Sequence, residues 1–371
     1  MGKLNVFIAN WNDYFQLNEV VEKLANNGTE INIISYNIEL NPSLFKRANI
    51  SIYNLDRKKN SIYKTLRKIY LEPYIQYIPI IKLIFHILIQ RKKFIGNILC
   101  VEKGGVVLYS KIRYFLPLNC KKIYWSLELY TDSNQSVFKH IYKFKQAFKL
   151  EKKHLKSFDE LIIQDESRYN HLWYAKHLRP FFFPVTTKVV DSTYSVKKYD
   201  LLYFGVVRRE RGILEFLKIV NSKNLNYNIL LNGPVNQHFK NEIYNENFQT
   251  PIHFSFSTTS DYFPKIFNES KIGVVWYDSD VVNDALTGNS SEKIARYLSY
   301  GMPIITNQNN SSYKYLMTEK VCFFVNELNI CSILKYVLNN YEEISQKAVR
   351  LHLSHYSSEV YFSELEFRLL N

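Results

Sequence analysis

The chain has 371 residues, enough for two domains that each bury a core, and its 46% hydrophobic content excludes a disordered tail. Its formal charge of +14 is unevenly spread: residues 1–190 carry 30 basic against 15 acidic side chains, and residues 191–371 carry 18 against 19. Residues 51–150 alone carry 19 against 5, so an anionic partner is expected for the first half only.

In chain order, Leu4–Ala9 reads as a strand that follows Met1-Gly2-Lys3 with no apolar leader, so no secretory signal is expected. A helix over 16–26, with Leu17, Val20, Val21 and Leu24 on one face, stops at Gly28, and Ile31–Tyr36 is the next strand. This βαβ opening predicts a parallel sheet. Basic clusters at Arg57-Lys58-Lys59 and Arg91-Lys92-Lys93 bracket a stretch rich in Tyr, Ile and Leu. Its apolar run, Tyr74–Ile89, contains Pro79, Lys82 and His86 and falls short of the roughly 20 residues that span a bilayer, so no transmembrane helix is expected. Strands follow at 98–101, 122–125 and 161–163, with a basic helix over about 136–157.

Residues 186–198 lack periodicity and are read as a linker. A second α/β series follows: a strand at 200–204, a turn at 205–212, a helix at 213–222 and a strand at 227–231. Then come a strand at 272–276, a helix at 291–300 closed by Gly301, and a strand at 302–306. The expected division is 1–185, 199–345 and a C-terminal helix over 346–371 that packs back on the first domain. Cys100, Cys120, Cys322 and Cys331 are scattered without metal-ligand spacing and read as reduced core cysteines of a cytosolic protein.

Three blocks carry candidate chemistry. In Thr287–Ile305 the serines Ser290 and Ser291 fall where a helix N-cap is expected, after Gly288. Free N–H groups and the positive end of the helix dipole then face an anion, which also explains Lys293 in the first turn. In Leu202–Ile213 a strand ends at Gly205 and a loop holds Arg208, Arg209 and Arg211 before Gly212. Between them, Asn228–Pro234 is a strand ending at Gly233. Taken singly, the first is also an ordinary capped helix before a buried strand, and the second a solvated charged loop.

In order and spacing the three blocks resemble bacterial family 4 glycosyltransferases of the GT-B type. The resemblance implies an α/β fold of two doubly wound Rossmann-like domains facing a cleft, with the nucleotide-sugar site in the second. It implies that Gly205, Arg208, Arg209, Gly233, Gly288, Ser290, Ser291 and Glu292 bind the donor, and that Arg211 and Lys293 stabilise the leaving diphosphate. The sequence departs from the family where Val206 replaces an arginine, and where Gly288 and Arg296 replace two glutamates eight positions apart. The ribose carboxylate is therefore missing or supplied elsewhere, and Glu292, in another register, is a candidate for it.

In the first half, Tyr124–Tyr130 resembles a Tyr-x-Ser-Leu-Glu-Leu run of some family members, at a strand end where α/β clefts take ligands. Glu128 is there either an acceptor-side catalytic carboxylate or a buried structural one, and Asp165 and Arg168 are weighed in the same way. The loop Asn10-Trp11-Asn12-Asp13 lacks the glycines of many relatives.

The resemblance further implies retaining transfer of a sugar, in surface polysaccharide synthesis such as O-antigen, and a lipid-linked glycan is the expected acceptor, without metal or other cofactor. The basic region 51–150 suits peripheral attachment to the anionic inner face of the cell membrane. Nucleic acid suits the same composition, but no RNP, KH or helix-turn-helix pattern accompanies it, so none is expected as a partner. The alternatives are a non-catalytic GT-B protein, given Val206 and Arg296, and a basic nucleic-acid-binding protein.

Overall fold

The structure is a computed structural model that describes residues 2–11, 15–38, 47–55, 78–117, 119–129, 141–188, 190, 196–256, 262–277 and 282–371. Asn12-Asp13, the basic cluster 57–59, Tyr130 and residues 136–140 lie outside them. So do parts of Tyr74–Ile89 and of the expected linker. The chain divides into two compact units, Met1–Phe183 with Tyr361–Asn371, and Pro184–Val360.

Among the described residues, the N-terminal unit holds seven strands. These are β1 (Lys3–Asn10), β2 (Glu30–Asn37), β3 (Ile50–Asn54), β4 (Asn97–Val101), β5 (Lys122–Trp125), β6 (Glu160–Ile163) and β7 (Arg179–Phe182). Helices α1 (Phe15–Asn26), α2 (Ile78–Ile89), α3 (Glu102–Ile112), α4 (Ile141–Leu155) and α5 (Glu166–His171) connect them. The strand order is β3-β2-β1-β4-β5-β6-β7 and every pairing is parallel. Leu4–Ile8, apolar but for Asn5, is buried on both pleats, as a strand covered by helices on both faces requires. Strand order reverses between β1 and β4, the point where a doubly wound sheet opens a crevice at its carboxyl edge.

The C-terminal unit repeats the plan with six parallel strands in the order β10-β9-β8-β11-β12-β13. They are β8 (Tyr199–Phe204), β9 (Ile229–Asn232), β10 (Ile252–Ser255), β11 (Ser270–Val275), β12 (Ile304–Thr306) and β13 (Cys322–Phe324). The helices are α6 (Ile213–Ser222), α7 (Gln237–Asn245), α8 (Tyr262–Asn268), α9 (Val282–Ala285), α10 (Glu292–Ser299), α11 (Lys314–Thr318), α12 (Ile330–Asn339) and α13 (Tyr341–Leu351). Two clusters fill the two faces of this sheet, one under α6, α7 and α12 and the other under α8, α10 and α13. Here the switch point falls between β8 and β11.

The C-terminal stretch expected as one helix is divided. A π-helical turn over His352–Tyr356 follows α13 and precedes α14 (Ser358–Leu370), whose Leu365 and Leu369 complete the core of the N-terminal unit. The cysteines need a correction: Cys100 and Cys322 are core residues, Cys120 is half-buried, and Cys331 is exposed on α12. Among the described residues no helix is long and apolar enough to cross a membrane.

Candidate functional site

The geometry of the second unit's site begins with Tyr297. Its hydroxyl accepts the Phe204 N–H at 2.8 Å and donates to the Leu202 carbonyl at 2.9 Å, which pins α10 to the end of β8. One turn earlier on the same helix face, Lys293 is thereby brought over β8. Its Nζ lies 4.2 Å from the centroid of the Tyr203 ring and 4.5 Å from that of Tyr277. Gly205 leaves room for this side chain, because a Cβ there would stand 3.0 Å from Lys293 Cε. Gly233 in turn lets β9 end against β8, since a Cβ at that position would fall on the Gly205 carbonyl. Both glycines have positive φ, +123° and +148°, which other residues rarely adopt.

Among the described residues, Arg211 and Arg208 set two positive charges near Lys293 against the one negative charge of Asp284. Arg211 pairs with Asp284 of α9 and also lies over the Tyr277 ring, 5.1 Å from its centroid. Burial first, and the Arg211 guanidinium second, pull the Lys293 ammonium down to about 7; Arg208 acts in the same direction and Asp284 against it. Lys293 as a whole residue is half-buried, with its ammonium flanked by the Tyr203 and Tyr277 rings. Burial raises the Asp284 carboxyl above its ordinary range despite the opposing pull of Arg211, Arg208 and Lys293. Asp284 therefore neutralises this cluster only in part.

The helix N-terminus differs in detail from the sequence reading. Ser291 occupies the N-cap position, but its side chain does not cap α10; its Oγ lies 3.3 Å from the Tyr277 hydroxyl instead. It thus steadies one of the rings that hold Lys293. Ser290 Oγ donates to the Leu286 carbonyl at 3.2 Å. Gly288 N–H donates to Ser312 Oγ at 2.7 Å, and any Cβ at Gly288 would collide with the Ser312 carbonyl. The helix closes in a Schellman motif: Gly301, at φ +66°, donates to the Leu298 carbonyl, and Met302 to that of Tyr297.

The structure thus gathers Gly205, Arg208, Arg211, Gly233, Ser291 and Lys293, with Gly288 and Ser290 in the loop leading into α10. It sets two expected residues apart. Arg209 pairs with Glu242 of α7 at 2.9 Å, and Glu292 is held by Arg296 at 2.6 Å. Arg296 itself lies over Phe204 and Phe263. A groove of about 810 Å³ shares Arg209 and Gly212 with the basic loop and reaches Trp276, whose buried Nε1 has no hydrogen-bond partner among the described residues.

In the N-terminal unit, the carboxyl ends of β4, β5 and β6 form a second polar cluster. Glu128 follows β5, and its backbone N–H donates to Glu102 Oε1 at 2.8 Å; the Leu127 N–H donates to the same oxygen. Gln164 Nε2 donates to the Ser126 and Leu127 carbonyls, and the Arg168 guanidinium donates to the Leu127 carbonyl at 2.8 Å. Asp165 caps α5 by accepting the Arg168 N–H. So Gln164, Asp165 and Arg168 order the Glu128 loop from the β6 side. Glu102 is absent from the sequence reading. It has a left-handed backbone (φ +60°) beside the switch point, and burial first, then Glu128, raise its carboxyl to about 8.

Comparison with known proteins fits this geometry. Residues 215–359 match the family of glucosyltransferase 3-like C-terminal domains. No curated protein matches the chain in sequence. Among solved structures, sucrose-phosphate synthase from Thermosynechococcus elongatus is similar at 12% identity and a TM-score of 0.66, over 98% of this chain and 97% of that one. WaaG, a glycosyltransferase involved in lipopolysaccharide biosynthesis, is similar at 10% identity and a TM-score of 0.63, over 99% of each chain. HepE of Anabaena, solved with UDP and glucose, is similar at 9% identity and a TM-score of 0.65, over 100% of this chain and 99% of that one. The fold is GT-B. Its two doubly wound units are those of GT-B glycosyltransferases, and the family match falls on the unit that carries Lys293 and Asp284.

Proposed function

We propose that the protein is a glycosyltransferase that moves a sugar from a nucleoside-diphosphate carrier to a glycan acceptor. The observation that carries this reading is the enclosed Lys293 ammonium beside Arg211, which Asp284 compensates only in part. A desolvated cation next to a guanidinium favours an anion, and a departing diphosphate is the anion that GT-B chemistry releases. As the bond from the anomeric carbon to the diphosphate oxygen breaks, negative charge grows on that oxygen. Lys293, Arg211, Arg208 and the N-terminal N–H groups of α10 would stabilise it, an electrostatic contribution set before the reaction begins. These cations carry the charge-neutralising role that a metal plays elsewhere, so the proposed transfer is metal-independent.

A uridine diphosphate donor is favoured by the likeness to HepE, whose structure holds UDP and glucose. Glu128, in its ordered loop, is proposed as the acceptor-side carboxylate. The acceptor is proposed to be a lipid-linked glycan of bacterial surface polysaccharide, met at the inner face of the membrane, with retention of configuration. A panel of nucleotide-sugars tests the reading by thermal shift, and product analysis with the one that binds identifies the transfer. Absence of any shift across the panel at millimolar concentration would sink it.

A further inference from the structure

Helix α2 is apolar nearly all round. Ile80, Leu83 and Ile87 form its buried face. On the opposite arc Ile81, Phe85, Leu88 and Ile89 are exposed at 48%, 62%, 53% and 80%. A surface helix ordinarily turns charged residues outward, so four large apolar side chains at positions i, i+4, i+7 and i+8 make a stripe that calls for a cover. The inner side is fixed: His86 and Phe94 pack on Tyr53, with ring centroids 5.1 and 5.3 Å from it, and the Tyr53 hydroxyl lies 3.3 Å from His86 Nε2. The outer arc is therefore held outward.

Basic side chains edge the stripe. Lys82 is exposed on its margin, and the 3-10 turn Arg91–Phe94 that follows α2 exposes Arg91, Lys92 and Lys93. Ile95, 54% exposed, extends the apolar surface beyond them. No acidic residue occurs between positions 73 and 101. The 12 described residues of the helix cover about 18 Å, less than a bilayer's span and suited to lying in its surface.

We propose that α2, with the Arg91–Lys93 turn, is the surface by which this protein lies on an anionic phospholipid bilayer. The apolar arc enters the acyl boundary, and the basic residues meet the headgroup phosphates. This deepens the membrane-associated part of the proposed function and rests on it, but its test involves no nucleotide. Failure here leaves the donor site untouched, and failure of nucleotide binding leaves this surface untouched.

The test is co-sedimentation of the full chain with vesicles of phosphatidylglycerol or of phosphatidylcholine alone. The protein should pellet with the first and stay in solution with the second. F85S/I89S changes only exposed side chains and should weaken partitioning at least about tenfold. R91S/K92S/K93S should weaken it about a hundredfold, at about 1 kcal/mol per basic residue, and high salt should have a similar effect. Equal pelleting of F85S/I89S and wild type would overturn the proposal, as would a wild-type protein that ignores phosphatidylglycerol. A dimer dissociated by F85S/I89S, in a protein that binds no vesicles, would instead assign the face to a second copy of the chain.

Discussion

Lys293 lies over the face of Tyr203, with its ammonium nitrogen 4.2 Å from the ring centroid and Gly205 leaving the space beside it. The ring attracts the charge by about 0.5–2 kcal/mol, but desolvation and the neighbouring Arg211 outweigh that gain. The balance puts the Lys293 ammonium at about 7, so the apo site is only partly protonated at neutral pH.

An incoming diphosphate reverses the balance, because an anion at the site favours the charged lysine. Binding should therefore take up a proton at neutral to mildly alkaline pH. Affinity for UDP should fall above pH 7 with a limiting slope of about tenfold per pH unit. Titration calorimetry in buffers of different ionisation enthalpy measures the uptake directly. Lys293→Met should abolish both the uptake and the slope; an unchanged slope in that variant assigns the proton to another group.

Gly205 and Gly233 should separate fold from binding. At Gly233 an alanine Cβ would strike backbone, the Gly205 carbonyl, at a φ of +148°. Gly233→Ala should cost about 3 kcal/mol and lower Tm by roughly 6–12 °C. At Gly205 the obstacle is the end of the flexible Lys293 side chain. Gly205→Ala should cost less stability and lose more nucleotide affinity. Equal Tm losses with intact binding in both would show that Lys293 moves aside freely.

Glu102 gives the N-terminal unit a pH signature of its own. Its carboxyl stands near 8 in the folded chain, against an ordinary value of 4.5. Between those values the folded state binds more protons than the unfolded one. The stability Glu102 contributes is thus fully present below about 4.5 and lost as pH rises through about 8. Glu102→Gln keeps an oxygen for the Leu127 and Glu128 N–H groups and stays neutral. It should flatten the fall in Tm from pH 5 to pH 8, whereas Glu102→Ala should unfold more readily at every pH.

What was legible in the sequence follows from where each signal is written. Leu4–Ala9 and Ile31–Tyr36 stand out because central parallel strands are mostly apolar on both pleats, with Asn5 and Asn32 paired to each other within the sheet. The α10 block stands out because Gly301 and Pro303 punctuate it and Tyr297 and Lys293 share a face. Helix α3 is obscured by Gly104 and Gly105, which weaken helix propensity. They are there because a Cβ at Gly104 would strike Ala9 and one at Gly105 the Phe7 carbonyl. Strand β7 is obscured by Pro180, tolerated because β7 is the sheet edge. Asp284 and Glu102 were missed for a different reason. Their importance lies in burial and in partners distant along the chain, Arg211 for one and the 127–128 backbone for the other. The cue that existed for Asp284 was an acidic residue four positions before Gly288. For Glu102 it was a lone acid ending an apolar strand.

Nucleotide binding by the wild-type chain and by Lys293→Ala and Arg211→Ala tests the central claim most directly. Calorimetric titration with UDP and GDP should show saturable binding of at least one to the wild type. Each alanine variant should lose at least about tenfold in affinity, a difference of about 1.4 kcal/mol. Arg211→Ala should also lose stability, since it leaves the buried Asp284 without its guanidinium. A wild-type protein that binds neither nucleotide at millimolar concentration, or variants that bind as the wild type does, would contradict the account.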